Sequence, residues 1–191
     1  MLGGPGSGKT TLMKYLARTF ALDEATSKLG LVERRLPILL PLREWAREQR
    51  TLTADHLAQY VVHPDILATC PEGFFQEQLQ AGRCLVLLDG MDEVTTEAER
   101  NDVAGQINKL VSAYPGNRFV VTSRPAGHEG VSLAGFALLH VRDFSDEDVA
   151  EFARRWYEAV EMAARDVRDD DVAAAIARQE AEEQAGRLVQ E

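Results

Sequence analysis

Residues 3–10 of this chain of 191 read "GGPGSGKT", and this segment is the most informative about the fold. It matches the phosphate-binding pattern G-x-x-x-x-G-K-[ST] at every specified position. Backbone N–H groups must approach a phosphate chain closely, and side chains on the glycines would obstruct that approach. Apolar residues at Leu12, Met13 and Leu16 then follow at helical spacing, so the positive end of a helix would face the phosphates.

The pattern also predicts roles for two side chains in this loop. Lys9 would reach the β- and γ-phosphates, and the Thr10 hydroxyl would ligate Mg²⁺. A glycine-rich turn that only joins a strand to a helix is the alternative interpretation, and a second motif argues against it. The predicted nucleotide-binding set is Gly3, Gly4, Pro5, Gly6, Ser7, Gly8, Lys9, Thr10 and Thr11.

The second motif is "CLVLLDGMDE", residues 84–93. Its apolar run is typical of a strand buried on both faces. Asp89 would end that strand and join the magnesium shell, with Gly90 leaving space beside the phosphates. Asp92 and Glu93 follow at a distance suited to polarising an attacking water. The alternatives are an ordinary acid at a strand end for Asp89 and a solvated turn for the other two.

The third motif, "FVVTSRP" at residues 119–125, places Arg124 just past another apolar strand. The carboxyl ends of parallel strands share one sheet edge, so Arg124 would lie near the phosphate loop. There it could sense or stabilise the charge of the γ-phosphate. A surface arginine or a structural ion pair is the alternative.

Strand and helix patterns alternate along the chain, which predicts an α/β fold with a parallel sheet and helices on both faces. Thr96 with Glu99, and Ser145 with Asp148, are spaced to cap the starts of two helices. The predicted strands are residues 36–42, 84–89, 118–123 and 136–141. The predicted helices are residues 10–22, 53–62, 73–82, 96–113 and 145–160.

The composition narrows the class of protein. A formal net charge of −10 argues against a nucleic-acid or membrane-surface binder. The start does not resemble a signal peptide, and no apolar run approaches the ~18–20 residues that span a bilayer. Two cysteines, Cys70 and Cys84, fit reduced thiols. We therefore expect a cytoplasmic protein.

The motifs together resemble the NACHT family of signal-transduction NTPases, found in innate-immunity receptors and bacterial antiphage proteins. The resemblance covers about residues 1–160. It rests on "GGPGSGKTT", "LPILLPLRE", "LVLLDGMDEV", "FVVTSRP" and "VRDFSDEDVAEFARRWY". It implies a three-layer P-loop NTPase sandwich with strand order five-one-four-three-two, and a regulated ATP/ADP switch that assembles into homo-oligomers. The residues that carry over by motif position are Lys9, Thr10, Asp89, Asp92, Glu93 and Arg124.

The chain departs from that family pattern at its start, where only Met1 and Leu2 could supply the first strand. We expect a fragment of a larger protein, with an unpaired gap between the strands at 118–123 and 136–141. The expected domains are a nucleotide-binding domain at 1–143 and a helical segment at 144–191 that begins a lid.

The sequence thus predicts a Mg²⁺-dependent, ATP-hydrolysing switch that uses ATP or ADP as its nucleotide. A non-catalytic nucleotide-binding module remains the alternative. A Ras-type GTPase is disfavoured because "NKLV" at 108–111 has Val111 where an acid would bind guanine. A small-molecule kinase is disfavoured because no acceptor pocket or arginine-rich lid is evident.

Overall fold

The computed structural model describes residues 1–48, 51–54, 56–57 and 70–164. The chain divides into two compact units, Met1–Val141 and Arg142–Glu191. Most of the helix predicted over 53–62 lies outside the described residues. The first unit holds the sheet and the phosphate loop, and the second holds a long helix.

The first unit is built on a parallel sheet in the order β1-β2-β3. Its strands are β1 (Leu36–Pro41), β2 (Cys84–Asp89) and β3 (Arg118–Val121). The first five residues of β2 are buried, as its unbroken apolar pattern predicts for a strand covered on both faces. Pro41 of β1 pairs with Asp89 of β2, so the acid stands at the carboxyl end of the sheet.

Helices cover both faces of this sheet, as predicted. Met13 packs on one face against Leu85 and Leu87, while Leu79 and Ile107 belong to the core on the other face. The helices of the first unit whose bounds the structure describes are α1 (Lys9–Ala21), α2 (Ala25–Leu29), α3 (Leu42–Arg47), α4 (Phe74–Gln80), a 3-10 helix (Met91–Glu93), α5 (Glu97–Ala113) and α6 (Pro125–His128).

The start of α5 confirms the predicted capping box. The Glu99 backbone N–H donates to the Thr96 hydroxyl at 3.2 Å, and the Thr96 N–H donates to the Glu99 carboxylate at 3.0 Å. Two otherwise unpaired backbone donors are thereby satisfied. The helix ends at Ala113, before the turn that leads into β3.

The amino end of the chain differs from the sequence-based expectation in two respects. Leu2 forms parallel bridges to both Ser123 and His140, so the expected unpaired gap is wrong at this level of the sheet. Its N–H donates to Leu139 O, and its carbonyl accepts from Val141 N–H, each at 2.7 Å. The strand predicted over 136–141 is also wrong, since within that range only His140 forms a bridge. The segment at Leu2 is too short to pair with more than one of these residues.

Polar side chains bind the backbone at the opposite end of the sheet, and one of them, Asn117, is buried. Asn117 accepts from Cys84 N–H at 2.8 Å and donates to the carbonyls of Leu79 and Tyr114. The Arg35 guanidinium donates to Gly82 O at 2.8 Å. These bonds satisfy the backbone where β2 begins, and they leave the carboxyl edge of the sheet available for a site.

The second unit contains α7 (Asp146–Ala164). Its start confirms the predicted cap, since Asp148 N–H donates to the Ser145 hydroxyl at 3.2 Å and Ser145 N–H donates to the Asp148 carboxylate at 3.0 Å. Phe152 and Trp156 stack with ring centroids 6.1 Å apart. Both rings are more than half exposed, so α7 presents an aromatic surface.

Candidate functional site

The phosphate loop connects Leu2 to α1 through a tight glycine-rich turn. Gly6 and Gly8 have φ angles of 74° and 80°, in the left-handed region that favours glycine. Gly8 O then accepts from Leu12 N–H at 2.8 Å, so the helix starts directly from the loop. The sequence therefore places the positive end of α1 at the loop, as the motif predicts.

The Lys9 ammonium lies inside the loop that precedes it. Its Nζ donates to Gly3 O at 2.7 Å, to Gly4 O at 2.9 Å and to the Ser7 hydroxyl at 3.2 Å. Gly3 and Gly4 thus contribute their carbonyls to Lys9. This arrangement holds a positive charge at the centre of the loop.

The three motifs meet around one cavity of about 260 Å³ at the carboxyl edge of the sheet. Both the loop and the ends of β2 and β3 contribute to its wall, which is the edge where ligands of open α/β sheets bind. The residues that line it are Pro5, Gly6, Ser7, Gly8, Lys9, Thr10, Thr11, Asp89, Gly90, Asp92, Glu93, Thr122 and Arg124.

Asp89 is held by a residue that the sequence analysis did not single out. The Thr122 hydroxyl donates to Asp89 Oδ1 at 2.5 Å and accepts from Gly90 N–H at 2.9 Å. Thr122 belongs to the "FVVTSRP" motif, where only Arg124 was assigned a role. A polar residue at the end of a buried strand was the signal that could have identified it.

Asp92 and Arg124 form a pair across the cavity wall. Asp92 Oδ1 accepts from the Arg124 backbone N–H at 2.9 Å, and Oδ2 lies 3.0 Å from Arg124 Nε. The Asp92 side chain is mostly buried, and Gly127 packs directly against it. Both oxygens of Asp92 are therefore engaged with the arginine.

Glu93 is the more open of the two acids after Gly90. Its side chain is half exposed, and Arg43 Nη1 lies 3.9 Å from its carboxylate. Gly90 has a φ of 82°, and a Cβ there would lie 3.3 Å from Cγ and Cδ of Glu93. Because glycine has no Cβ, it leaves space for Cγ and Cδ of Glu93 beside the cavity.

The donors at this site suit Mg²⁺. Thr10 and Asp89 offer a hydroxyl and a carboxylate to the same cavity, and hard oxygen ligands are those that Mg²⁺ prefers. Among the described residues, no cluster of three or more His, Cys, Asp or Glu side chains could hold a metal. Two protein oxygens are enough for Mg²⁺, because the ion keeps several waters and binds substrate phosphates.

Comparisons with known proteins agree with the motifs. A family model described as "NACHT domain" matches residues 1–160. No curated protein matches the chain. Within the part of the chain that the structure describes, no helix has the length and apolar character needed to cross a membrane.

Proposed function

The chain belongs to the NACHT domain family, a family of nucleotide-binding NTPase modules, and on that premise we propose that it is an ATP-hydrolysing switch. It binds ATP or ADP with Mg²⁺, hydrolyses ATP slowly, and changes its assembly state in a signalling or defence protein of the cytoplasm. The observation that supports this proposal is the convergence of the three motifs on one cavity.

Each side chain at the cavity has a role in this proposal. Lys9 binds the β- and γ-phosphates, and the loop N–H groups surround the phosphate chain. Thr10 and Asp89 would hold Mg²⁺, which supplies neutralisation of phosphate charge when bound. Arg124 contacts the γ-phosphate and thereby distinguishes ATP from ADP.

Glu93 is the group that polarises the attacking water. It is half exposed beside the cavity, so a water on its carboxylate can approach the γ-phosphate. Asp92 contributes through Arg124, because both of its oxygens are bound to that residue. Proton acceptance by a positioned carboxylate contributes roughly 10²–10⁴-fold to a rate.

A non-catalytic nucleotide-binding module is the second candidate. The pair between Asp92 and Arg124 supports it, because the carboxylate already neutralises much of the arginine's charge and leaves less of it to stabilise a γ-phosphate. A chain that keeps this pair would hold ADP as a structural ligand and hydrolyse little.

Single-turnover hydrolysis of radiolabelled ATP distinguishes the two candidates. We expect the unaltered chain to release phosphate and Glu93→Gln to lose at least about 100-fold in rate while keeping its affinity for ATP. Glu44→Gln, an exposed acid on α3, is the matched control. Nucleotide binding without phosphate release by the unaltered chain would establish the non-catalytic module instead.

The family pattern leads to further proposals about architecture. We propose the sheet order five-one-four-three-two, which the parallel bridges of Leu2 to Ser123 and His140 support. Residues 1–143 would form the nucleotide-binding domain, and residues 144–191 would begin a helical lid. Homo-oligomers would form on activation.

A further inference from the structure

Thr122 connects the ends of β2 and β3 at the cavity. It is fully buried and directly follows β3. Its N–H donates to Leu88 O at 3.0 Å, and its carbonyl accepts from Met91 N–H at 2.9 Å. With its two hydroxyl bonds to Asp89 and Gly90, it contacts four consecutive residues of the neighbouring segment.

The direction of the hydroxyl proton follows from these partners. A threonine hydroxyl has one proton to donate and lone pairs to accept. Because the Gly90 N–H donates to Thr122 Oγ1 at 2.9 Å, that proton is left for Asp89 Oδ1. The backbone amide thus orients the hydroxyl, and the hydroxyl orients the carboxylate.

This bond engages only one of the two Asp89 oxygens. Oδ1 accepts from Thr122, while Oδ2 has no hydrogen-bond donor among the residues that the structure describes. A carboxylate held by one oxygen presents the other in a fixed direction, and such support of a metal ligand raises metal affinity.

We propose that Thr122 is a positioning residue that fixes Asp89 for Mg²⁺ of the bound nucleotide, an inference that rests on the proposed function. Thr122 does not contact the metal or the phosphates. It acts through Asp89, because its hydroxyl holds Asp89 Oδ1 by a hydrogen bond. A purely structural role, in which Thr122 only seals the ends of the strands, would not depend on Mg²⁺.

The test compares Thr122→Val, which has the same shape without the hydroxyl, with Thr122→Ser, which keeps the hydroxyl. The measurement is binding of a fluorescent ATP analogue, titrated with Mg²⁺ and repeated in EDTA. The matched control is Thr19→Val, because Thr19 is also fully buried and its hydroxyl has no hydrogen-bond partner in the part of the chain that the structure describes. Thermal melts confirm that each variant is folded.

We expect Thr122→Val to raise the half-saturating Mg²⁺ concentration by roughly 10-fold or more, the usual effect of removing support from a metal ligand. Its affinity in EDTA should match that of the unaltered chain. Thr122→Ser should restore the Mg²⁺ response, and Thr19→Val should leave it unchanged.

Equal losses with and without Mg²⁺ in Thr122→Val would overturn the inference and assign Thr122 a structural role. If the valine variant does not fold, Thr122→Ala replaces it with the same expectation, and unfolding of both variants would also overturn the positioning role. Absence of Mg²⁺-dependent binding in the unaltered chain would instead overturn the proposed function together with this inference.

Discussion

Arg124 meets Asp92 through two groups at once: its backbone N–H donates to Oδ1 at 2.9 Å, and its guanidinium Nε lies 3.0 Å from Oδ2. The loop after β3 is thereby joined to the 3-10 helix after β2. Arg124 is 53% exposed at its side chain and Asp92 only 14%. The buried carboxylate therefore sets the direction of the exposed guanidinium.

Asp92→Asn should reduce discrimination between ATP and ADP. An amide keeps an acceptor for the backbone N–H but loses the charge that aims the guanidinium, and a charge-assisted bond of about 1.5–3 kcal/mol corresponds to roughly tenfold or more in affinity ratio. The measurement is the ratio of ATP to ADP affinities by fluorescence titration, compared with Arg124→Ala. Because the pair is partly exposed, unfolding stability should change by no more than about 1 kcal/mol.

The control for this variant is Asp102→Asn, an exposed acid on α5, which should keep the original ratio. If Asp92→Asn keeps the original ratio of ATP to ADP affinities while Arg124→Ala does not, the orientation of the Arg124 guanidinium does not depend on Asp92.

Lys9→Ala should abolish measurable nucleotide binding. The ammonium is held by three acceptors within the loop, and its removal deletes the flexible cation aimed at two phosphates. A loss of at least about 100-fold in affinity is expected from charge-assisted bonds of this kind. Titration with a fluorescent ATP analogue in Mg²⁺ buffer measures it, with the exposed Lys14→Ala of α1 as the control. Unchanged affinity would refute the phosphate-loop interpretation.

Gly127→Ala should destabilise the chain because the new methyl group would meet Asp92. A Cβ at this position would lie 2.7 Å from Asp92 Cα and 2.9 Å from the Ser123 hydroxyl oxygen. Overpacking of this kind costs about 1–3 kcal/mol in free energy of unfolding, which urea denaturation measures.

Gly105→Ala supplies the matched comparison for that variant. Gly105 lies inside α5, and among the described residues no atom beyond the adjacent backbone of the helix lies within 4 Å of an added Cβ, so alanine should raise stability by up to about 1 kcal/mol. If both substitutions raise the unfolding midpoint, the close contact of Gly127 with Asp92 is not rigid.

Cys84 should make the fold sensitive to alkaline pH. Burial raises the pKa of its thiol to about 11 from an ordinary value of 9.0, so the folded chain keeps a proton that the unfolded chain releases. Stability is then fully present below pH 9 and falls as the pH rises from 9 to 11, by about 2–3 kcal/mol. Denaturation at several pH values measures the slope, and Cys84→Ala should flatten it. An equal slope in both chains would assign the loss to other groups.

The local elements of the fold could be predicted from the sequence. The capping box at Thr96 and the unbroken apolar run of β2 each identify their element, because their signals lie within a few residues. The phosphate loop could be predicted for the same reason, because its motif is a continuous stretch of sequence. A helix or strand that is determined mainly by its own residues can therefore be predicted from the sequence.

The features that depend on distant partners could not be predicted. The run at 136–141 has the composition of a strand, yet Leu2 offers it only one bridge. The bonds of Thr122 to Asp89, and of Arg124 to Asp92, each join residues more than 30 positions apart. Side-chain directions of this kind are set by tertiary packing, so the motifs indicated which residues meet but not how they bond.

The two tryptophans lie in different units, so their intrinsic fluorescence can report on each unit separately. Trp45 of α3 is 2% exposed, in the core of the first unit, while Trp156 of α7 is 58% exposed in the second. The chain contains no other tryptophan. With either indole replaced by phenylalanine, emission follows one unit alone, blue-shifted for Trp45 and open to aqueous quenchers for Trp156. The unfolding of each unit can thus be followed by the fluorescence of the corresponding single-tryptophan variant, without an attached dye.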